Sequence, residues 1–243
     1  MITLYSGTPG SGKSLHVARQ IETYLRRKQT VIANFPINTD LISKNGKKRI
    51  GDFIYLPNNR LSPQFISEYA MKFHKAGKES QSVIVIDEAG IMFNSRNFLE
   101  RSREAWIQFF MTHRHYGYDV ILISQVDRLI DRQIRAFIEY DVKHRKANNF
   151  KTIGLILSLF RISTFVAVTY LYHLRNEKNS AEFFRYRKRD GKLYDTMMLF
   201  SGNQHGNAIG GTVQSAEAPP KAPAPCIDIK SYLPYKSLAA MQY

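Results

Sequence analysis

One short segment, Gly7–Ser14 with the sequence GTPGSGKS, constrains the fold of this chain more than any other feature. It fits the pattern G-x-x-x-x-G-K-S/T, in which glycines let backbone N–H groups converge on a phosphate. The β-forming residues Ile2–Tyr5 precede it, and apolar residues at helical spacing follow over Leu15–Leu25. A loop between a strand and a helix also places the positive end of the helix at the phosphate. The sequence therefore predicts a nucleotide site at this loop.

The last two residues of the loop carry specific chemistry in the predicted site. Lys13 is long enough to reach the β- and γ-phosphates of a nucleoside triphosphate, which gives it a catalytic role as well as a binding one. The Ser14 hydroxyl is an oxygen ligand of the kind that Mg²⁺ prefers. We therefore predict ATP and Mg²⁺ as cofactors, with the nucleotide bound by the whole loop: Gly7, Thr8, Pro9, Gly10, Ser11, Gly12, Lys13 and Ser14.

A second motif is an apolar run that ends in two acids, Val83–Ile86 followed by Asp87 and Glu88. A run without polar alternation is typical of a strand buried on both faces of a parallel sheet. An acid at the end of such a strand can hold Mg²⁺, and its neighbour can polarise an attacking water. We assign Asp87 to the metal and Glu88 to the catalytic base. A strand that simply ends at solvent is the alternative, and the phosphate loop favours hydrolysis.

Gln125 closely follows another buried run, Val120–Ile123. Because ligands of open α/β sheets bind at the carboxyl ends of the strands, its amide is a candidate for contact with the γ-phosphate or the attacking water. We include Gln125 among the catalytic residues; a turn residue without a role is the alternative. An arginine from a neighbouring subunit can stabilise transition-state charge, and the candidates are Arg114, Arg128, Arg132 and Arg135.

The order of elements predicts an α/β fold with a mainly parallel sheet, because short buried strands alternate with amphipathic helices. Helices are predicted over 62–76, 99–116 and 129–140. We place the nucleotide-binding core in residues 1–150. Residues 151–200 are rich in β-branched and aromatic residues and predict a β-strand extension. Residues 201–243 are rich in Pro, Ala and Gly and predict a flexible tail.

Several tracts resemble the zonula occludens toxin (Zot) family, whose members include the gene I assembly proteins of filamentous phages. They are MITLYSGTPGSGKS at the start, VIVIDEAG, HRHYGYD leading into ILISQ, and RYRKRDGKLYDTM at 185–197. The resemblance covers about 1–200. It implies a P-loop ATPase with an additional strand between the strands that carry the phosphate loop and the acidic pair. By motif position it assigns the phosphate, metal, acidic and sensor roles to Gly12, Lys13, Ser14, Asp87, Glu88 and Gln125.

The resemblance also implies action at the host inner membrane, where the family drives assembly and export of phage. Gene I proteins usually have a membrane-spanning helix after the ATPase domain, and 154–172 is the candidate here. Arg161 near its middle costs about 2.5–3.5 kcal/mol on insertion scales, which about ten apolar residues barely offset. Two added β-strands fit this segment at least as well. We expect a protein of the host cytoplasm, associated peripherally with the cytoplasmic face of the inner membrane.

The charge of the chain points to an anionic partner, since 35 Lys+Arg against 20 Asp+Glu leave a net charge of +15. Most of the excess lies outside the phosphate loop, in clusters at 44–49, 143–151 and 185–192. Aromatic residues lie among the cations near 183–192, and such a mixture can stack bases and bind phosphates. A charged β-hairpin with its aromatics in the core is the alternative. DNA and an anionic lipid surface are both left open.

With the phosphate loop and the acidic pair, the resemblance to the Zot family implies a phage-encoded motor ATPase that couples ATP hydrolysis to virion assembly and extrusion through the host envelope. We expect a homo-oligomeric ring, with phage assembly or capsid proteins as partners. One alternative is a genome-packaging ATPase that uses the same core to translocate DNA into a preformed capsid. Another is a non-hydrolysing envelope adaptor that binds nucleotide as a structural switch, against which Glu88 and Gln125 argue.

Overall fold

The computed structural model describes residues 1–94, 100–147, 163–174 and 177–194. The predicted tail, 201–243, lies outside the described residues, as do 154–162 of the candidate membrane segment. The strands are β1 Ile2–Ser6, β2 Thr30–Ala33, β3 Phe53–Tyr55, β4 Ser82–Ile86, β5 Tyr118–Ile123, β6 Tyr140–Lys146, β7 Thr164–Leu171 and β8 Lys178–Arg185. The helices are α1 Lys13–Arg26, α2 Thr39–Ser43, α3 Pro63–Phe73, α4 Ala89–Met92, α5 Glu100–Thr112, α6 Arg132–Arg135 and α7 Lys188–Leu193.

All of these strands belong to one sheet, in the order β3-β2-β4-β5-β1-β6-β7-β8. Neighbouring strands from β3 to β6 are parallel, whereas β7 and β8 add to the β6 edge in antiparallel fashion. The predicted α/β fold with a mainly parallel sheet is therefore confirmed. Strand β5 lies between β1 and β4, which is the additional strand that the family resemblance implied.

Two hydrophobic clusters cover the two faces of the sheet, as expected when helices pack on both sides of parallel strands. One cluster joins the sheet to α3 and α5 through residues such as Phe65, Trp106 and Phe110. The other joins it to α1, α2 and α7 through residues such as Ile21 and Leu193. Helices α3 and α5 match the predictions over 62–76 and 99–116, although each ends a few residues early.

The predicted helix over 129–140 is wrong. This stretch contains a 3₁₀ turn at Asp127–Leu129 and the short helix α6, and then β6 begins at Tyr140. The Asp131 side chain accepts a hydrogen bond from the Gln133 backbone N–H, which starts α6 as a separate element. Strand β6 pairs in parallel with β1. Val142 and His144 are buried and Lys143 between them is not, but buried Asp141 and the basic residues of the strand obscure this alternation.

The second half of the candidate membrane segment forms strand β7, which pairs with β6 on one side and β8 on the other. Its backbone hydrogen bonds go to neighbouring strands, so these residues are part of the sheet. Within the described ranges, no helix combines the length and the apolar character needed to cross a bilayer. The aromatic and basic tract near residue 185 belongs to two elements, because β8 ends at Arg185 and α7 begins at Lys188.

Candidate active site

The phosphate loop joins β1 to α1 and packs closely against neighbouring strands, which explains two of its glycines. Gly7 has φ +143°, and a Cβ there would lie 2.6 Å from the backbone oxygen of His144. Gly12 has φ +93°, and its Cβ would lie 2.8 Å from the ring of Phe165. Both positions combine a left-handed backbone with a contact that leaves no room for a side chain. The loop therefore requires glycine at both positions.

The side chain of Lys13 bends back over this loop. Its Nζ donates hydrogen bonds to the carbonyl oxygens of Gly7, at 2.6 Å, and Thr8, at 3.1 Å. Burial lowers the pKa of the ammonium group from its ordinary value, while the carboxylates of Asp87 and Glu88 act in the opposite direction. The lysine therefore lies in the field of the acidic pair, as the two motifs predict.

The predicted Mg²⁺ ligands, Ser14 and Asp87, come together through a shared partner. The phenol of Tyr194 donates to Asp87 Oδ2 at 2.7 Å, and the Ser14 side chain lies close to the same phenol. Burial and the nearby carboxylates raise the pKa of this phenol, so it remains neutral. A hydroxyl and a carboxylate that converge on one point form an oxygen donor set that suits Mg²⁺. The donor set therefore fits the predicted metal.

Asn34 fixes the backbone of Asp87 and was missed by the sequence analysis. Its Oδ1 accepts from the Asp87 N–H at 2.7 Å, and its Nδ2 donates to the Asp87 carbonyl at 2.9 Å. The signal for it was available, because Asn34 directly follows β2, the strand beside β4, at the same edge. The rule that singled out Gln125 applies equally to this residue.

Glu88 is exposed and has a left-handed backbone, with φ 50° and ψ 41°. Its N–H is held by Asp87 Oδ1 at 2.8 Å. Such a conformation costs about 1–3 kcal/mol in a residue other than glycine and is concentrated at functional sites. The turn separates the two carboxylates, so that Asp87 stays with Ser14 and Tyr194 while Glu88 is open to solvent. That division suits the predicted roles of metal ligand and catalytic base.

The structure places Gln125 beside the phosphate loop, since its backbone oxygen accepts from the Gly7 N–H at 3.3 Å. The candidate arginines are dispersed. Arg114 pairs with Glu139 at 2.7 Å, and Glu139 also binds the Ile2 N–H at the start of β1. This pair lies at the end of the sheet opposite the phosphate loop. Arg135 is half-buried near Tyr172, and its charge opposes the burial that raises the pKa of that phenol. The remaining two are exposed: Arg128 and Arg132.

A buried group of four rings borders the loop on its other side: Tyr5, His16, His144 and Phe184. The two imidazoles are joined by a hydrogen bond of 2.9 Å between His16 Nδ1 and His144 Nε2. Burial is the main cause that lowers the pKa of His16 to about 4 and that of His144 to about 3, so both rings are neutral at pH 7. We call these four residues the histidine side of the loop, and Ser14, Asn34, Asp87 and Tyr194 the metal side.

A glycine-rich loop joins β1 to α1, and an acidic pair follows β4, which one strand separates from β1. These two features define the class of P-loop NTPases. The profile of the family described as zonular occludens toxin (Zot) matches residues 1–198 of this chain. The chain belongs to the zonular occludens toxin family, as its motifs predict.

Individual proteins are also similar to this chain. The Gene 1 protein of Enterobacteria phage I2-2 is 27% identical over 161 residues, which is 65% of this chain and 44% of that protein. The chain thus spans less than half the length of this curated relative. The N-terminal domain of zonular occludens toxin from Neisseria meningitidis is 22% identical, with a TM-score of 0.46 and coverage of 80% of this chain and 98% of that chain. Another solved structure, an ATPase domain, shares the fold at 10% identity, with a TM-score of 0.52 and coverage of 79% of this chain and 84% of that chain.

Proposed function

We propose that this protein is an ATP hydrolase that powers virion assembly and extrusion through the host envelope. The observation that carries the proposal is the convergence of the phosphate loop, Lys13, Ser14, Asp87 and Glu88 at one edge of the sheet. Family membership and the similarity to phage Gene 1 proteins support the biological role. The oligomeric ring, the assembly or capsid partners and the inner-membrane location are parts of the same proposal.

In this proposal the loop N–H groups and the N-terminus of α1 bind the phosphates. Lys13 exchanges its two carbonyl partners for the phosphate oxygens. Ser14 and Asp87 hold Mg²⁺, which neutralises charge on the phosphates when it is bound. Glu88 orients the attacking water and accepts its proton. Gln125, which is anchored to the loop at Gly7, senses the γ-phosphate.

The test is steady-state ATP hydrolysis by the purified protein and two variants. Lys13→Ala should lower turnover by about 10²–10³-fold, because a positioned charge on the transferring phosphoryl group is lost. Glu88→Gln should lower it by about 10²–10⁴-fold while nucleotide binding persists, because only proton acceptance is removed. Lys47→Ala and Glu104→Gln make the same chemical changes at exposed positions and should retain turnover. Wild-type turnover in either site variant would contradict the assignment.

The same assay separates extrusion from its alternatives. Stimulation of hydrolysis by membranes or by an envelope channel partner supports the extrusion motor. Stimulation by double-stranded DNA, with no response to membranes, supports genome packaging instead. Nucleotide binding without turnover in any oligomeric state supports the non-hydrolysing adaptor.

A further inference from the structure

Tyr194 contacts a predicted metal ligand and takes no part in the proposed hydrolysis. The phenol donates a hydrogen bond of 2.7 Å to Oδ2 of Asp87, one of the two residues that are assigned to Mg²⁺, and it lies close to the other, Ser14. Mg²⁺ requires ligands at about 2.0–2.1 Å in nearly octahedral geometry. A hydroxyl that donates a hydrogen bond to a carboxylate oxygen competes with the ion for that oxygen.

Ring packing and hydrogen bonds of the neighbouring residues hold Tyr194 in place. Its ring packs edge-on against Phe35, with centroids 4.9 Å apart. Leu193, just before it, is fully buried, and its carbonyl accepts from the Asn38 N–H at 3.0 Å. The preceding helix, α7, is bound to α1 by hydrogen bonds of Asp190 with Arg19 Nε at 2.7 Å and of Arg189 with Glu22 at 2.6 Å.

The second observation is the state of Lys13. Its ammonium group is bonded to the carbonyls of Gly7 and Thr8, which belong to the loop itself. Lys13 and Asp87 are therefore both hydrogen-bonded to groups of the protein itself. Phosphate binding has to displace one set of bonds, and metal binding has to displace the other.

We propose that Tyr194 is a latch on the Mg²⁺ site, which holds the Asp87 carboxylate and must release it before the metal–nucleotide complex can bind. This inference rests on the proposed nucleotide and Mg²⁺ site. Tyr194 lies at the end of α7, so the affinity for Mg²⁺ is linked to how α7 sits on α1. A change in that packing alters metal affinity without any change in the metal ligands.

The test is Tyr194→Phe, which removes the hydroxyl and keeps the ring against Phe35. A fluorescent, non-hydrolysable ATP analogue is first bound in EDTA, and Mg²⁺ is then titrated into the complex. We expect Tyr194→Phe to bind the analogue in EDTA as the wild type does and to bind Mg²⁺ at least about tenfold more tightly, the ratio for one hydrogen bond to a charged acceptor. Tyr186→Phe makes the same change at a half-exposed position in the same segment and should leave Mg²⁺ affinity unchanged.

The outcomes separate the inference from the function on which it rests. Unchanged or weaker Mg²⁺ binding by Tyr194→Phe overturns the latch, and a 10–100-fold loss would show instead that the phenol supports the metal from behind its ligands. Failure of the wild-type protein to bind the analogue with or without Mg²⁺ overturns the proposed function, and the latch with it. Thermal unfolding of all three proteins controls for a loss of folding.

Discussion

The two sides of the phosphate loop are held by different kinds of contact. The metal side is a set of hydrogen bonds among half-exposed polar groups, such as Tyr194 with Asp87 and Asn34 with Asp87. The histidine side is a buried cluster in which His16 and His144 are 5% and 2% exposed. Water or a metal can replace a hydrogen bond at a half-exposed group, whereas a buried ring leaves a cavity when it moves. We therefore expect the histidine side to stay in place when a ligand binds and the hydrogen bonds of the metal side to be exchanged.

The largest expected effect is on the histidine side, where His144 makes the free energy of unfolding depend on pH. Burial, with repulsion from His16 and Lys13, lowers the pKa of His144 to about 3 from an ordinary value of 6.5. Below pH 6.5 the unfolded chain binds a proton at this residue that the folded chain does not. Its contribution to stability therefore falls as pH falls, by about 2 kcal/mol between pH 7 and pH 5.

Urea unfolding at the two pH values measures this effect. His144→Gln removes the titrating group and should lose about 2 kcal/mol less than the wild type over the same interval. The variant is expected to be less stable at pH 7, because the packing of the ring is lost, so the comparison is made between the two pH losses. Equal pH dependence in both proteins would show that the His144 ring is not neutral and buried on the histidine side.

A smaller effect is expected on the metal side. Asn34→Ala removes the amide that binds both the N–H and the carbonyl of Asp87, and we expect a loss of about 1 kcal/mol in the free energy of unfolding. Asn58→Ala is the matched control, because Asn58 accepts from Asn34 and not from Asp87. Equal losses in the two variants would show that the hydrogen bonds between Asn34 and Asp87 stabilise the fold no more than the one between Asn34 and Asn58.

The smallest effect is expected where the metal side is tied to α1. Arg189→Ala removes an ion pair with Glu22, but the arginine side chain is 47% exposed and Glu22 keeps Arg26 at 2.6 Å. Solvent screening limits the loss to about 0.5 kcal/mol or less. Chemical denaturation of this variant beside Arg189→Lys checks the value. A loss as large as that of Asn34→Ala would mean that α7 depends on this pair far more than its exposure indicates.

Much of the site was predictable because its parts are local in the chain. The phosphate loop needs only the spacing of its glycines and Lys13, and the acidic pair needs only a buried run followed by two carboxylates. The strand–loop–helix context is local as well. Their meeting was also predictable, since parallel strands bring their carboxyl ends to one edge.

Other parts could not be read from local patterns. Strand β6 was missed: the predicted helix over 129–140 ended at its first residue, and 143–146 were assigned only to a basic cluster. Its charged residues obscure the strand pattern, and its partner, β1, is more than 130 residues away, with Thr3 opposite Tyr140. Asn34 gains its role only because β2 is the neighbour of β4 in the sheet. Neither strand order nor a side chain's distant partner has a local signature.

By itself, the sequence determined the class of this protein, because binding a phosphate through backbone N–H groups demands particular residues at fixed spacing. The tertiary structure alone decided what surrounds that loop. It brought Tyr194 from 107 positions along the chain onto Asp87 and joined His16 to His144 across 128 positions. The physical reason is that a hydrogen bond between distant residues depends on how strands and helices pack, and packing is a property of the whole core.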